Sequence, residues 1–233
     1  MKFGIVIFPG SNCDHDAYHV VKHVLGEEAV FLWHGDRDLR GSDCVILPGG
    51  FAYGDYLRCG ALAKFSPVMQ EVADFSAKGG PVIGICNGFQ ILLESGLLDG
   101  AMLRNASLRY VCKHVYVRVE TDHTPFTSLI EPGRVLKIPI GHMEGNYYAP
   151  AEDVRVLEDE RRIVFRYTSP TGEVDPAWNP NGAMAGIAGV CNKARNVVGM
   201  MPHPERASEA ALGCEDGKLI FTSVVRAFAG SCA

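Results

Sequence analysis

Residues 81–90 read PVIGICNGFQ, and this short stretch sets the fold class. Pro81 to Ile85 is a brief, almost wholly apolar run of the kind that forms a strand buried on both faces. From Asn87 to Glu94 the spacing turns helical, and Ser95-Gly96 supplies the stop. Between strand and helix sits Cys86, with Gly84 and Gly88 two residues away on either side. In a strand–turn–helix, G-x-C-x-G is the thiol form of the nucleophile elbow, where small neighbours let a strained turn lift a reactive side chain above the sheet. A thiol with an ordinary pKa near 8.5 is only about a few per cent thiolate at neutral pH, so a nucleophile there needs a helix N-terminus and a base. Position 86 provides the first.

Similar apolar runs occur at 3–8 (FGIVIF), 29–33 (AVFLW) and 43–47 (DCVIL). A helix is expected near Asp14. Another is expected over roughly 59–78, where Leu62, Phe65, Val68, Met69, Val72 and Phe75 recur at three- and four-residue spacing. This alternation predicts an α/β fold built on a doubly wound, mostly parallel sheet with helices on both faces, whose ligands gather outside the carboxyl ends of the strands. Beyond about residue 110 the segments VCKHVYVRVE and RIVFRYTS alternate polar and apolar positions, and turn signals stand at Glu131-Pro132-Gly133 and Asn179-Pro180-Asn181-Gly182. That half is expected to add antiparallel decoration. No repeat or linker divides the 233 residues, so a single domain over 1–233 is expected.

Composition excludes several classes of function. With 47% hydrophobic and 21% charged residues the chain is neither disordered nor a membrane protein, and no apolar run reaches the roughly 18–20 residues a bilayer span needs. The net charge of −5 and the lack of a basic cluster argue against nucleic acid. The amino terminus lacks the anatomy of a signal peptide. Eight cysteines (13, 44, 59, 86, 112, 191, 214 and 232) include no C-x-x-C pair, which fits a reducing, cytoplasmic setting in which most thiols are small buried hydrophobes.

A base for Cys86 is offered by Met201-Pro202-His203-Pro204-Glu205, which follows the apolar strand NVVGMM. Two prolines fix the backbone around His203, and Glu205 is near enough to accept from the far imidazole nitrogen and set its tautomer. At the carboxyl end of DCVIL stands Leu47-Pro48-Gly49-Gly50-Phe51, where paired glycines let backbone amides approach a ligand closely. Those amides, with that of Asn87, are candidate oxyanion donors. Each feature alone has an ordinary explanation: a core thiol, a packed histidine, a turn. Together, at strand ends of one parallel sheet, they form a Cys–His–Glu hydrolase constellation. His15, His19 and His23 share a helical face, but no carboxylate completes a metal motif, and a solvated face is the expectation. No metal site is expected anywhere in the chain.

Gly84-Ile85-Cys86-Asn87-Gly88-Phe89-Gln90, Pro48-Gly49-Gly50 and His203-Pro204-Glu205 resemble the class I, triad glutamine amidotransferases, a flavodoxin-like family. PGSNCDHD (9–16), LPGGFAYGDYLRCGALA (47–63) and GHMEGNYYA (141–149) narrow the resemblance to glutaminase subunits of phosphoribosylformylglycinamidine synthase in purine biosynthesis. The resemblance implies glutamine hydrolysis, with Cys86 attacking the side-chain amide and His203 protonating the departing ammonia. It implies that Gln90 helps hold L-glutamine. It further implies a separate synthetase subunit, with a small accessory subunit as a further candidate partner. The synthetase would use ATP and magnesium to convert formylglycinamide ribonucleotide to the amidine, and this chain itself would carry no cofactor. The absence of G-x-x-x-x-G-K-[ST] and G-x-G-x-x-G agrees. The family usually has His-Gly-Glu-Gly where this chain has His142-Met143-Glu144-Gly145, so His142 and Glu144 are carried as pocket or interface candidates. Asp55 and Arg58, in the glycine-rich stretch 49–60, are expected to face the partner.

Two other readings remain open. One is a glutaminase subunit serving a different synthetase, against which the 47–63 segment argues. The other is a non-catalytic cysteine sensor or binding module of the same fold, which would have no use for the carboxylate at Glu205.

Overall fold

A computed structural model describes residues 1–231; Cys232 lies outside the described residues. The strands are β1 (Lys2–Ile7), β2 (Glu28–Trp33), β3 (Cys44–Leu47), β4 (Val82–Ile85), β5 (Ala101–Leu103), β6 (Val111–Val119), β7 (Val135–His142), β8 (Asn146–Tyr148), β9 (Ile163–Thr168), β10 (Ile187–Cys191) and β11 (Val197–Met200). The α-helices are α1 (Asp14–His19), α2 (Pro67–Ala77), α3 (Asn87–Glu94), α4 (Ala151–Asp159) and α5 (Lys218–Ser231). A π-helical turn over Val20–Val24 extends α1.

Nine strands form one sheet in the order β2-β1-β3-β4-β11-β10-β9-β6-β7, and β5 pairs with β8 in a small separate ribbon. The first five strands of that order run parallel. The rest pair antiparallel, so the segments beyond residue 110 continue the main sheet. The residues of β3, β4 and β11 are buried throughout, which is why they read as unbroken apolar runs. From β1 the chain steps one way to β2 and from β3 the other way to β4; right-handed crossovers therefore put α1 and α2 on opposite faces. The reversal leaves a crevice between the carboxyl ends of β1 and β3. There the loops after the two strands meet in an isolated bridge between Ser11 and Gly50.

The helix expected over 59–78 begins only at Pro67. Residues 59–66 form turns and a short 3₁₀ segment over Ala63–Phe65, and Phe65 is exposed. Proline disfavours helical backbone in the residue before it, and Ser66 is extended (φ −63°, ψ 139°). Pro67 thus occupies the first helical position, where its missing N–H costs nothing.

Register aligns the strand ends that matter. Leu47 pairs with Gly84, and Met200 with Ile85, so the segments after β3, β4 and β11 leave the sheet side by side. The far edge also returns to this point: the His203 amide donates to the Pro139 carbonyl of β7 at 2.9 Å. Asn105 braces the turn after β7, donating from Nδ2 to the His142 carbonyl (2.9 Å) and accepting from the Gly145 amide (3.1 Å).

Two glycines make the β4–α3 unit possible. A Cβ on Gly88 would lie 1.9 Å from the Leu47 carbonyl oxygen, and one on Gly84 would lie 2.6 Å from the Gly88 carbonyl oxygen. We expect Gly88→Ala to lower stability by about 1–3 kcal/mol through overpacking, although alanine has the better helix propensity by about 1 kcal/mol. The urea midpoint measures this, and an unchanged midpoint would contradict the packing argument.

His142, the last residue of β7, is buried, and burial pushes its pKa down to about 3, with the His203 charge adding to the effect. Its folded pKa lies below its unfolded value near 6.5, so below that pH the unfolded chain binds a proton that the native chain refuses. Stability contributed by neutral His142 is therefore complete above pH 6.5 and declines as pH falls toward 3, by about 1.4 kcal/mol per unit. Urea unfolding at a series of pH values should show a shallower acid decline for His142→Gln than for the parent. Parallel declines would contradict the assignment.

Candidate active site

Cys86 occupies the N-cap of α3 with φ 51° and ψ −106°, a backbone conformation that costs a non-glycine residue about 1–3 kcal/mol. The turn is held from both sides: the Cys86 amide donates to the Met200 carbonyl at 2.8 Å, and its carbonyl accepts from the Gln90 amide at 3.2 Å. The side chain is 5% exposed and stands over the electropositive end of α3. Its Sγ lies 3.9 Å from the Gly141 carbonyl oxygen, so β7 forms one wall around the thiol.

His203 and Glu205 leave the end of β11 and are both buried. His203 Nδ1 and Glu205 Oε1 are 2.6 Å apart, which places the Nδ1 proton between them. The other ring nitrogen, Nε2, is buried with no hydrogen-bond partner. Burial alone would lower the His203 pKa, but the negative charges of Glu205 and Cys86 outweigh it and hold the imidazole well above its usual value. A thiol at the end of β4 and an imidazole at the end of β11 are thus electrostatically linked.

The glycines after β3 serve different ends. A Cβ on Gly49 would lie 2.7 Å from His203 Cε1, so the missing side chain makes room for the imidazole. Gly50 has φ +150° and packs against the backbone of residues 10–12. The Phe51 amide, expected among the oxyanion donors, is instead committed to the Gly10 carbonyl at 2.9 Å. Asn87 organises the next segment with its side chain: Oδ1 accepts from the Ala52 amide (3.0 Å), and Nδ2 reaches Asp55 Oδ1 (3.2 Å) and Gln90 Oε1 (2.8 Å). Gln90 Nε2 in turn donates to the Glu144 carbonyl at 2.6 Å. Gln90, which the resemblance assigns to holding L-glutamine, is buried in the cavity wall.

Cys86, Gly50, Phe51, Gln90, His142 and Glu144 all line one cavity of about 320 Å³, within the range of small-molecule sites. Met143 is exposed and its backbone is not left-handed, so the glycine of the family pattern is replaced here without strain. Asp55 does not face outward as expected; it is half-buried in the cavity wall. Arg58 is tied to Glu94 by a two-pronged ion pair at 2.6 and 2.7 Å. His15, His19 and His23 lie on an exposed face.

One neighbour of the site carried no assigned role in the sequence. Cys13, in PGSNCDHD, is buried with its Sγ within 4.8 Å of the ligand atoms of His203 and Glu205, and Arg206 Nη2 donates to it at 3.1 Å. Burial raises its pKa and keeps it a neutral thiol.

A family model for the CobB/CobQ-like glutamine amidotransferase domain matches residues 1–213. The phosphoribosylformylglycinamidine synthase subunit PurQ of Koribacter versatilis is 59% identical over 229 residues, covering 98% of this chain and 99% of that protein. That of Moorella thermoacetica is 56% identical over 225 residues, covering 97% and 95%. Among solved structures, a chain in the structure of PurLQS from Thermotoga maritima superposes with a TM-score of 0.85 at 41% identity, over 97% of this chain and 98% of that one. A glutamine amidotransferase from the same organism, at 17% identity and a TM-score of 0.54 over 97% of this chain and 90% of that one, shares the fold. The thiol lines the cavity and is electrostatically linked to a buried imidazole–carboxylate pair, in a chain so closely matched from end to end that it belongs to the glutamine amidotransferase family, among the PurQ subunits of phosphoribosylformylglycinamidine synthase.

Proposed function

We propose that Cys86, His203 and Glu205 hydrolyse L-glutamine and that the chain, acting as a single amidotransferase domain, passes the ammonia to a synthetase subunit. The observation that carries this is the buried His203 imidazole, bound at Nδ1 by Glu205 and unpartnered at Nε2, in electrostatic contact with the strained nucleophile turn. A sensor cysteine has no use for that carboxylate.

The chemistry follows from the arrangement. The Cys86 thiolate attacks the carboxamide carbon of glutamine, and the electron pair of the C=O bond moves onto oxygen. The Gly50 and Asn87 amides are the donors that receive this oxyanion; the amide of Asn87, at the start of α3, has no helical acceptor of its own. Collapse of the tetrahedral intermediate breaks the C–N bond while imidazolium Nε2–H delivers its proton to the leaving nitrogen. The resulting γ-glutamyl thioester is cleaved by water, whose proton returns to His203, releasing glutamate and the thiolate. Glu205 keeps the imidazole in one tautomer and stabilises its charged form.

The partner assignment rests on the relatives' names and on the PurLQS structure. In the complex this reading proposes, a synthetase subunit uses ATP and magnesium to activate the amide of formylglycinamide ribonucleotide, which ammonia converts to the amidine, and a small accessory subunit completes the assembly. This chain supplies only the ammonia. Among the described residues no helix is long and apolar enough to cross a membrane, and the unpaired thiols suit the cytoplasm.

In the reconstituted complex, Cys86→Ala should lower glutamine-dependent synthesis by at least about a thousandfold and leave synthesis from added ammonium salt unchanged. Equal loss of both activities would contradict this division of labour.

A further inference from the structure

We propose that Cys13 is a positioning residue for the reaction: it stands between Arg206 and Glu205 and so reserves the carboxylate for His203. The inference rests on the glutaminase reading above and adds a residue that lies outside the cavity lined by Cys86.

Cys13 is the N-cap of α1 and is fixed by its backbone: its amide donates to the Gly49 carbonyl at 3.1 Å, and its carbonyl accepts from the Ala17 amide at 3.0 Å. The residue is buried. A Cβ on Gly49 would lie 3.1 Å from Cys13 Sγ and 2.7 Å from His203 Cε1, so thiol and imidazole share the space that the missing side chain leaves. Sγ also accepts from Arg206 Nη2 at 3.1 Å, while Arg206 Nε donates to Asp16 Oδ2 at 3.0 Å. The thiol thus meets both the triad and a guanidinium tethered to α1.

The carboxylate needs that separation. Glu205 gives Oε1 to His203 Nδ1 at 2.6 Å and leaves Oε2 buried with no hydrogen-bond partner. Arg206 is the next residue along the same 3₁₀ turn, yet its ion pair is with Asp16. A guanidinium that met Glu205 could bind it with two parallel bonds where imidazole offers one, and it never gives up its proton. His203, by contrast, is neutral for part of each turnover, after its Nε2 proton has gone to the leaving nitrogen. In that interval a free guanidinium would take the carboxylate, and the imidazole would lose the partner that fixes its tautomer. Thiol sulfur is a weak acceptor that occupies Nη2 without taking anything from Glu205. Burial raises the Cys13 pKa, so the spacer is a neutral thiol and brings no second negative charge to Arg206. A metal ion does not suit the place, although Cys13, His203 and Glu205 bring ligand atoms within 4.8 Å of one another, because Arg206 already sets a positive charge on the sulfur.

The test measures glutaminase kinetics of the assembled complex carrying Cys13→Ala, Cys13→Ser, Arg206→Gln, or Cys13→Ala together with Arg206→Gln. Cys13→Ala should lower kcat roughly 10- to 100-fold, the scale of a small misplacement of a catalytic group. KM for glutamine should change less than about threefold, because Cys13 lies outside the cavity. Cys13→Ser keeps an acceptor for the guanidinium and should stay within about fivefold of the parent. Adding Arg206→Gln to Cys13→Ala should restore kcat to within about fivefold of Arg206→Gln alone, since no guanidinium remains to capture Glu205.

The pH profile gives a second readout. The groups acting on His203 are Glu205, Cys86, Cys13, His142 and Tyr110, with Arg206 acting on Cys13 and Glu205. Capture of Glu205 takes the counter-ion from the imidazolium, so in Cys13→Ala the alkaline limb of kcat should move to lower pH, and it should return in the double variant. An unchanged kcat in Cys13→Ala, or an equal loss with and without Arg206→Gln, would overturn the proposal, because a cavity left by a missing thiol cannot be repaired at Arg206. Alongside that result, a dead Cys86→Ala enzyme would leave the hydrolytic reading standing and remove only the spacer. Retained glutamine hydrolysis in Cys86→Ala would remove the underlying reading itself.

Discussion

The close approach of α3 to β3 at Gly88 is the constraint on which the site depends. With no side chain at 88, the helix backbone sits against the Leu47 carbonyl, and the chain can turn from β4 into α3 within one residue. That residue is Cys86, driven to positive φ and tied to β11 by its amide. The same contact brings the segment after β3 under the start of the helix, so Asn87 can bind the Ala52 amide and Gly49 can face His203. Strain at the nucleophile is balanced by packing that only glycine permits.

The sheet then supplies what local structure cannot. Parallel register aligns the ends of β3, β4 and β11, so three loops distant in sequence open on one side. The antiparallel strands carry β7 back over that opening, where Pro139 anchors the His203 amide and Gly141 lies against the Cys86 thiol. Charge follows the same plan. Buried His203 is held cationic by Glu205 and Cys86, whereas His142, also buried but facing only an amide, is held neutral. Two buried histidines are thereby given opposite characters by their partners.

The β4–Cys86–α3 unit was fully legible because its signals are local: an apolar run, flanking glycines, and a Ser95-Gly96 stop that matches the end of α3 at Glu94. His203 and Glu205 were legible because a single residue, Pro204, separates them and fixes the turn. Apolar spacing alone does not mark the start of α2, because it runs on through 59–66 whereas the Ser66-Pro67 boundary sets the first helical residue. The return of β7, the commitment of the Phe51 amide to Gly10, the inward face of Asp55 and the contact of Cys13 with the triad all come from pairing over long sequence separations. No periodicity encodes such contacts. The motif resemblance reached further than spacing did, yet it too was silent on Cys13.

The central claim is that Cys86, and no other thiol, is the nucleophile made ready by His203 and Glu205. Treating the native complex with one equivalent of a glutamine-like diazoketone and mapping the adduct by mass spectrometry tests this directly. The account predicts a single adduct on Cys86, prevented by glutamine and slowed in Glu205→Gln. Labelling of Cys13 or Cys59 with Cys86 unmodified would contradict it.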